Sequence, residues 1–225
     1  MNSDSLLLYA VTDSRWLRAG ETLEQKVLQA IEGGATFVQL REKHADRAEL
    51  LRTAAALKKL CAARGVAFVV NDDVETALAC KADGVHVGQS DISVERAREI
   101  LGASAIVGAS AQTVGQALAA ERAGASYLGV GAVFHTDSKA DAADVPFETL
   151  REICAAVKIP VVAIGGISAE NIGQLAGSGI AGVAVISAIF AQVDIAGAAR
   201  GLRASAEKLF ARRGTRTLTS RETRS

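Results

Sequence analysis

Short, nearly continuous apolar runs recur along this chain, and each is followed by a polar segment and then by a stretch with helical spacing. Eight such units can be counted, from LLLYAVT (6–12) to GVAVI (182–186). Apolar runs that do not alternate with polar residues are typical of parallel strands buried on both faces, and eight of them joined by helices predict a closed (β/α)8 TIM barrel. The alternative, an open doubly wound sheet, usually carries a glycine-rich segment after its first strand, where this chain has DSRW (13–16).

The length of 225 residues suits a single α/β domain of this kind, and no linker or shift in composition divides it. We expect the barrel to span residues 1–211, with a sixth strand over Ser126–Phe134, a helix around Ala169–Ala176 and a last helix from about Ile195 to Ala211. The segment 212–225, RRGTRTLTSRETRS, is basic and nearly free of apolar residues, so we expect it to be disordered.

Two carboxylates end neighbouring strands in the stretch VAFVVNDDVETALACKADGVHVGQSD (66–91). Its two apolar runs are predicted to be parallel strands joined by a short helix, so Asp72 and Asp91 reach the same rim of the barrel, where ligands of parallel α/β folds bind. Two carboxylates there repel unless a cation joins them, and Mg²⁺, which needs few protein ligands and accepts substrate phosphates, fits best. The alternative is that Asp72 or Asp73 caps the helix that follows.

The charged residues of the chain balance one another. The 25 Lys and Arg residues match 25 Asp and Glu residues, which argues against nucleic acid or a membrane surface as the main partner. No apolar run is long enough to cross a membrane, and the first residues lack the parts of a signal peptide, so we expect a cytoplasmic protein. Cys61, Cys80 and Cys154 lack CxxC spacing, and we interpret all three as buried small apolar residues. We interpret His86 as a hydrogen-bonded barrel residue rather than a base.

Polar and cationic residues follow the second and the sixth strands. Those after the second strand are Gln39, Arg41 and Lys43. Their spacing of two places them on one side of an extended chain, where two cations and an amide make a clamp for phosphate or diphosphate; the alternative is a solvated strand end. Those after the sixth strand are Thr136, Ser138 and Lys139. Their two hydroxyls and ammonium suit phosphate oxygens, and the loop 135–144 suits a lid.

A second anion site is predicted at the ends of the last two strands. Gly165 and Gly166 follow the run PVVAI, and Ser187 follows GVAVI and opens a short helical stretch. In barrels these two loops form a recurrent phosphate site, and glycines let backbone amides approach an anion; the alternative is a plain turn. The rim thus carries a cationic site, a metal site and an amide site, the last built by Gly166 and the Ile186–Ser187 turn. Two anion sites beside a metal predict two phosphorylated small-molecule substrates, and they favour metal-assisted departure of a diphosphate.

In these motifs the chain resembles the thiamine-phosphate synthase family over nearly its whole length. The resemblance rests on QLREK, VNDDVETALACKADGVHVGQSD, IVGASAQT, YLGVGAVFHTDSK and VVAIGGIS, in that order. It implies a transferase that joins 4-amino-2-methyl-5-(diphosphomethyl)pyrimidine to 4-methyl-5-(2-phosphoethyl)thiazole, with diphosphate leaving first and Mg²⁺ on Asp72 and Asp91. The contacts that it implies are Gln39, Arg41, Lys43, Asn71, Ser110 and Lys139 for the pyrimidine diphosphate, and Thr136, Ser138, Gly166, Ile186 and Ser187 for the thiazole phosphate. Among these we assign Arg41, Lys43, Ser110 and Lys139 to catalysis.

The chain departs from the family pattern in the loop after the sixth strand. The family commonly has proline at His135 and threonine at Ser138, and it usually places a glycine near Phe147 that DVPFETL lacks. Two other functions stay open: a thiazole tautomerase, which is a related barrel without coupling activity, and a non-enzymatic regulator that binds thiazole phosphate. Retention of Asp72, Asp91, Arg41 and Lys139 argues against the tautomerase, and a regulator would need no metal pair. The oligomeric state, a homo-oligomer included, also stays open.

Overall fold

The computed structural model describes residues 3–43, 45–136 and 144–219, and it describes side chains from residue 4 to residue 210 within those ranges. Two residues named above, Ser138 and Lys139, lie outside the described residues. The loop that was predicted to act as a lid, 135–144, is therefore described only at its two ends.

Within these ranges eight parallel strands close into a barrel in sequence order, which confirms the predicted fold. The strands are β1 Leu8–Val11, β2 Phe37–Leu40, β3 Ala67–Asn71, β4 Gly84–Val87, β5 Ile106–Ala111, β6 Tyr127–Val130, β7 Val161–Ile164 and β8 Gly182–Val185. The first strand pairs with both the second and the last, and this pairing closes the barrel. Because all strands are parallel, the segments that follow them converge on one rim.

Helices surround the barrel, and the first five of them begin at residues whose side chains cap them. The helices are α1 Leu23–Glu32, α2 Arg47–Ala63, α3 Val74–Ala79, α4 Val94–Leu101, α5 Val114–Arg122, α6 Phe147–Ala156, α7 Ser187–Phe190 and α8 Ile195–Thr219. The side chains that cap α1 to α5 are those of Thr22, Asp46, Asp73, Ser93 and Thr113, and each accepts from the backbone N–H three residues further on. Asp73, not Asp72, is thus the cap of α3. Among the helices described, none combines the length and hydropathy that a bilayer-spanning segment needs.

The sixth strand is shorter than predicted. It ends at Val130 rather than at Phe134. The N–H groups of Val133 and Phe134 donate to the carbonyl oxygens of Ile164 and Gly165, at 3.0 and 3.1 Å, so this part of the chain hydrogen-bonds to the end of β7 without continuing the strand.

Two helical predictions were also wrong in their extent. The helix expected around Ala169–Ala176 is a short 3-10 helix, Ile172–Leu175. Gly173 and Gly177 lie in and after it, and glycine disfavours a longer helix. The last helix, α8, continues past Ala211 to Thr219. This stretch contains no proline, and its single glycine costs a helix only about 1 kcal/mol.

Residues that alternate along the strands build two separate cores. Leu8 and Ala10 of β1 pack between the sheet and the helices, whereas Tyr9 and Val11 face the barrel interior. The interior cluster contains Leu6, Tyr9, Val11, Phe37, Val69, Tyr127, Val162 and Ala184. The rings of Tyr9, Phe37 and Tyr127 meet edge-on, with centroids 4.5 to 5.9 Å apart, and fill the interior below the rim.

The three cysteines differ in burial. Cys61 is fully buried, as predicted, but Cys80 and Cys154 are only half-buried, and all three are free thiols. Burial among apolar side chains raises the pKa of Cys61 to about 12, so its thiol stays protonated at neutral pH.

Candidate active site

A cavity of about 440 Å³ opens at the carboxyl ends of the barrel strands. All eight strands, or the segments that directly follow them, contribute to its wall. The predicted site residues that line it are Gln39, Arg41, Lys43, Asn71, Asp72, Asp91, Ser110, Thr136, Gly166, Ile186 and Ser187. The structure therefore brings together every predicted site residue that it describes. Ser138 and Lys139 stay predictions, because they lie outside the described residues.

The cationic side of the cavity follows β2. Arg41 and Lys43 line the cavity, whereas Glu42 between them turns away and accepts hydrogen bonds from the Thr12 hydroxyl and the Ser14 N–H, at 2.7 and 3.0 Å. This is the alternation expected of an extended chain. The Arg41 guanidinium lies 3.9 Å from the carboxylate of Asp13, a loose ion pair that leaves its donors largely available to a ligand.

Gln39 lies deeper than the two cations. It belongs to β2 itself and is only 4% exposed, whereas Arg41 and Lys43 follow the end of the strand. Its Nε2 donates to the Tyr9 hydroxyl at 2.5 Å. One donor of Gln39 is thus held by the barrel interior, and the geometry favours Arg41 and Lys43, without Gln39, as the clamp for an anion.

A chain of buried hydrogen bonds runs from Gln39 across the barrel to Ser110. The hydroxyls of Tyr9 and Tyr127 lie 2.8 Å apart, Tyr127 Oη lies 3.0 Å from His86 Nδ1, and His86 Nε2 lies 3.0 Å from Ser110 Oγ. His86 is therefore a hydrogen-bonded barrel residue, as predicted. Burial raises the pKa of both tyrosines far above the ordinary value, so both stay protonated.

Two glycines make room for this chain of hydrogen bonds. A Cβ at Gly108 of β5 would collide with the Tyr127 ring and lie 2.5 Å from His86 Nδ1, and a Cβ at Gly129 of β6 would lie 3.0 Å from His86 Cε1. Reasoning from the sequence missed Tyr9, Tyr127 and both glycines. The available signal was a tyrosine in each of two apolar strands, since a buried hydroxyl needs a partner.

The two aspartates reach the cavity from neighbouring strands, as predicted. Asp72 has a φ of +62° directly after β3, and its carboxylate accepts from Asn71 Nδ2 at 2.6 Å. The carboxylate of Asp91 accepts from the Gly88 N–H at 2.7 Å, which holds the turn after β4. Among the described residues, no group of three or more His, Cys, Asp or Glu side chains is arranged so that it could hold a metal ion. Two carboxylates are too few for a metal that takes all its ligands from the protein. They suit Mg²⁺, which keeps several water ligands and also binds substrate phosphates.

The opposite side of the cavity is built of backbone turns. Gly165 and Gly166 follow β7 with φ values of +99° and +63°, a conformation that favours glycine. Asn171 holds this turn by donating from Nδ2 to the Gly166 carbonyl at 2.8 Å. Ile186 and Ser187 follow β8, where Ser187 opens the four-residue helix α7. A Cβ at Gly166 would meet the backbone of Phe134 and His135, so this glycine also serves the packing of the segment before Thr136.

These features define a (β/α)8-barrel protein with a charged cavity where barrel enzymes hold their active sites. The family model for thiamine monophosphate synthase matches residues 8–189 of this chain. The chain therefore belongs to the thiamine monophosphate synthase family.

Individual relatives agree with this assignment. The chain is 48% identical over 203 residues to the thiamine-phosphate synthase of Ruminiclostridium cellulolyticum, which covers 90% of this chain and 93% of that one. The thiamine phosphate pyrophosphorylase of Pyrococcus furiosus has a solved structure that matches with a TM-score of 0.84 and 40% identity, over 92% of this chain and 98% of that one. The chain is also 47% identical to the chloroplastic thiamine biosynthetic bifunctional enzyme of Arabidopsis thaliana, over 85% of this chain. It spans 37% of the length of that enzyme and of a similar one from Oryza sativa.

Proposed function

We propose that this chain is a thiamine-phosphate synthase. It would couple 4-amino-2-methyl-5-(diphosphomethyl)pyrimidine with 4-methyl-5-(2-phosphoethyl)thiazole, releasing thiamine phosphate and diphosphate. The names of the relatives from Ruminiclostridium cellulolyticum and Pyrococcus furiosus support this activity, since both match over nine-tenths or more of their own length.

The observation that carries the proposal is the arrangement of charge around one cavity. Arg41, Lys43, Asp72 and Asp91 come from the ends of β2, β3 and β4. The turns at Gly166 and Ser187 come from β7 and β8, and in a closed ring of eight strands β3 and β7 stand opposite one another. A cationic site and an amide-built site thus face each other across a space of about 440 Å³, as the joining of two phosphorylated substrates requires.

The chain's own residues divide the work between the two substrates. Arg41 and Lys43 stabilise the charge that develops on the departing diphosphate, and Lys139 joins them by the resemblance to the family. Gln39, Asn71 and Ser110 contact and orient the pyrimidine diphosphate. The thiazole phosphate is held on the opposite side by Thr136, Gly166, Ile186 and Ser187. Ser138 joins them by the resemblance to the family. Diphosphate leaves first, and the thiazole nitrogen then attacks the methylene carbon of the pyrimidine.

Asp72 and Asp91 would hold Mg²⁺ in this reaction. When bound there, the ion would draw negative charge from the leaving diphosphate. The carboxylates supply the hard oxygen ligands that Mg²⁺ prefers, and two of them leave coordination positions for water and phosphate oxygens. Asn71 orients one of these carboxylates by its hydrogen bond to Asp72.

The activity is tested with purified protein, Mg²⁺ and both substrates, followed by quantification of thiamine phosphate and diphosphate. Both products should form in equal amounts, and chelation of Mg²⁺ should abolish their formation. Folded protein that yields neither product would overturn the assignment. Conversion of a thiazole tautomer without coupling would point to the tautomerase, and binding of thiazole phosphate without any conversion would point to the regulator.

A matched pair of arginine variants tests the cationic site. Arg41 lines the cavity, whereas Arg15 makes the closer ion pair to Asp13, at 2.7 Å, and does not line it. Arg41→Ala should lower kcat/KM for the pyrimidine diphosphate by about 10²-fold, as expected for loss of one electrostatic stabiliser. Arg15→Ala should leave kcat/KM close to the wild-type value. Equal losses in the two variants would show that the pair with Asp13 matters for folding and that Arg41 has no special role.

A further inference from the structure

The hydrogen-bonded chain from Gln39 to Ser110 has a direction, because its groups differ in what they can donate. Gln39 Nε2 is a donor only, so the Tyr9 hydroxyl accepts from it and in turn donates to the Tyr127 hydroxyl. The Tyr127 hydroxyl then donates to His86 Nδ1. A neutral imidazole carries one N–H, which must be on Nε2, and it donates to Ser110 Oγ. The Ser110 hydroxyl proton is left to point into the cavity that Ser110 lines.

A doubly protonated His86 does not fit this chain. An imidazolium donates from both nitrogens, so Tyr127 would have to turn its proton back to Tyr9. The Tyr9 proton would then face Gln39 Nε2, which is itself a donor. A buried hydroxyl proton without an acceptor is costly, so with Gln39 Nε2 donating to Tyr9 the neutral Nε2–H form is the one that satisfies every partner.

With His86 neutral, the chain can be reversed only as a whole. If the Gln39 amide turned over, its oxygen would accept from Tyr9, and the direction of every hydrogen bond up to Ser110 would reverse. Gln39 would then present an N–H to the cavity, and Ser110 a lone pair. The two ends are therefore not independent, although they belong to β2 and β5 on different sides of the barrel.

We propose that Tyr9, Tyr127 and His86 are positioning residues that set the hydrogen-bonding polarity of the cavity. They hold Gln39 with its carbonyl oxygen as an acceptor and Ser110 with its hydroxyl as a donor. A ligand that presents an N–H to Gln39 and a ring nitrogen to Ser110 matches this polarity, as an aminopyrimidine does. A 4-oxo analogue mismatches it, because it replaces the amino donor by a carbonyl acceptor. This selection between ligands rests on the proposed function, whereas the tautomer of His86 does not.

The tautomer can be measured in ligand-free protein by ¹⁵N NMR of labelled histidine side chains. The sequence has three histidines, so the signals of His86 are identified by comparison with His44→Asn and His135→Asn variants. We expect a protonated Nε2 and an unprotonated Nδ1 at neutral pH. A protonated Nδ1, or an imidazolium, would overturn the proposed polarity. Because this readout needs no substrate, it stands even if the coupling activity is absent.

Two variants then separate polarity from packing. Tyr127→Phe removes the donor to Nδ1, whereas Phe37→Leu perturbs the ring that packs on Tyr9 and Tyr127 at 4.5 and 5.7 Å without touching a hydrogen bond. We expect Tyr127→Phe to give a mixture of tautomers and to reduce the preference for the amino over the 4-oxo pyrimidine, measured as a ratio of kcat/KM, by roughly tenfold. Phe37→Leu should lower the melting temperature yet keep the wild-type tautomer and preference.

Two results would contradict the proposal. One is a Tyr127→Phe protein that keeps the pure Nε2–H tautomer and the full preference. The other is a Phe37→Leu protein that loses both to the same degree, since packing alone would then set the polarity. If Tyr127→Phe fails to fold, the tautomer of the wild-type protein still decides the question.

Discussion

Replacing Gly166 by alanine tests the amide-built side of the cavity at its most constrained position. Gly166 has a φ of +63°, where a residue with a Cβ costs about 1 to 2 kcal/mol. The added Cβ would lie 2.7 Å from the Phe134 carbonyl oxygen and 2.8 Å from Phe134 Cβ, and it would collide with the His135 carbonyl. Overpacking of this kind costs typically about 1 to 3 kcal/mol. We therefore expect Gly166→Ala to lower the free energy of unfolding by roughly 2 to 5 kcal/mol.

The collision also predicts which substrate is affected. The backbone that must move, at Phe134 and His135, directly precedes Thr136, which lines the cavity and is proposed to contact the thiazole phosphate. The KM for the thiazole phosphate should rise about tenfold, equivalent to about 1.4 kcal/mol of binding, with a smaller rise for the pyrimidine diphosphate. Steady-state kinetics with each substrate varied in turn measures both values, and urea unfolding measures stability.

Gly201→Ala is the matched control for this variant. Gly201 lies in α8, and no heavy atom outside its own helix is within 4 Å of the position of an added Cβ. Alanine there should raise stability by roughly 0.5 to 1 kcal/mol and leave both KM values unchanged. A Gly166→Ala protein as stable as wild type would refute the collision argument. Equal rises in the two KM values would mean that Gly166 serves folding and not the thiazole phosphate.

Two further predictions concern charge and titration. Asp91→Asn can still accept from the Gly88 N–H, so we expect stability within about 1 kcal/mol of wild type but a turnover lowered by about 10²-fold and a weaker response in a Mg²⁺ titration. The control, Asp73→Ala, removes the cap of α3, so it should lower stability by about 1 kcal/mol and leave the Mg²⁺ response unchanged. If Asp91→Asn lowered stability and kept the Mg²⁺ response, while Asp73→Ala lost that response, the metal site would be removed from the proposal. Burial raises the pKa of Cys61 from 9.0 to about 12, and a group whose pKa is raised by folding stabilises the fold below its unfolded value. This stabilisation should be complete below about pH 9 and should be lost as the pH rises towards about 12. In unfolding curves measured over that range, the free energy of unfolding of Cys61→Ala should therefore fall less steeply with pH than that of the wild type. Identical slopes for the two proteins would contradict the raised pKa.

Much of the site was predictable because strand direction and side-chain alternation are local properties. Apolar runs identify buried parallel strands, and parallel strands bring the residues that follow them to one rim. This placed Asp72 and Asp91 together, and the spacing of Arg41 and Lys43 placed both on the cavity side. The same local logic placed the cap of α3 at Asp72 or Asp73, and the structure shows that it is Asp73, since a cap acts on the backbone only three residues away.

What the sequence alone determined, then, is the barrel and many of the residues that line the cavity, because both follow from short-range spacing. Only the tertiary structure decided how these residues pair across the barrel. The hydrogen bonds from Gln39 through Tyr9, Tyr127 and His86 join β2, β1, β6 and β4, and they depend on strand register and on the space above Gly108. The close approach of Gly166 to Phe134 likewise depends on how β6 ends against β7. Such contacts join residues far apart in the chain, and no local pattern of apolar and polar positions encodes the distance between them.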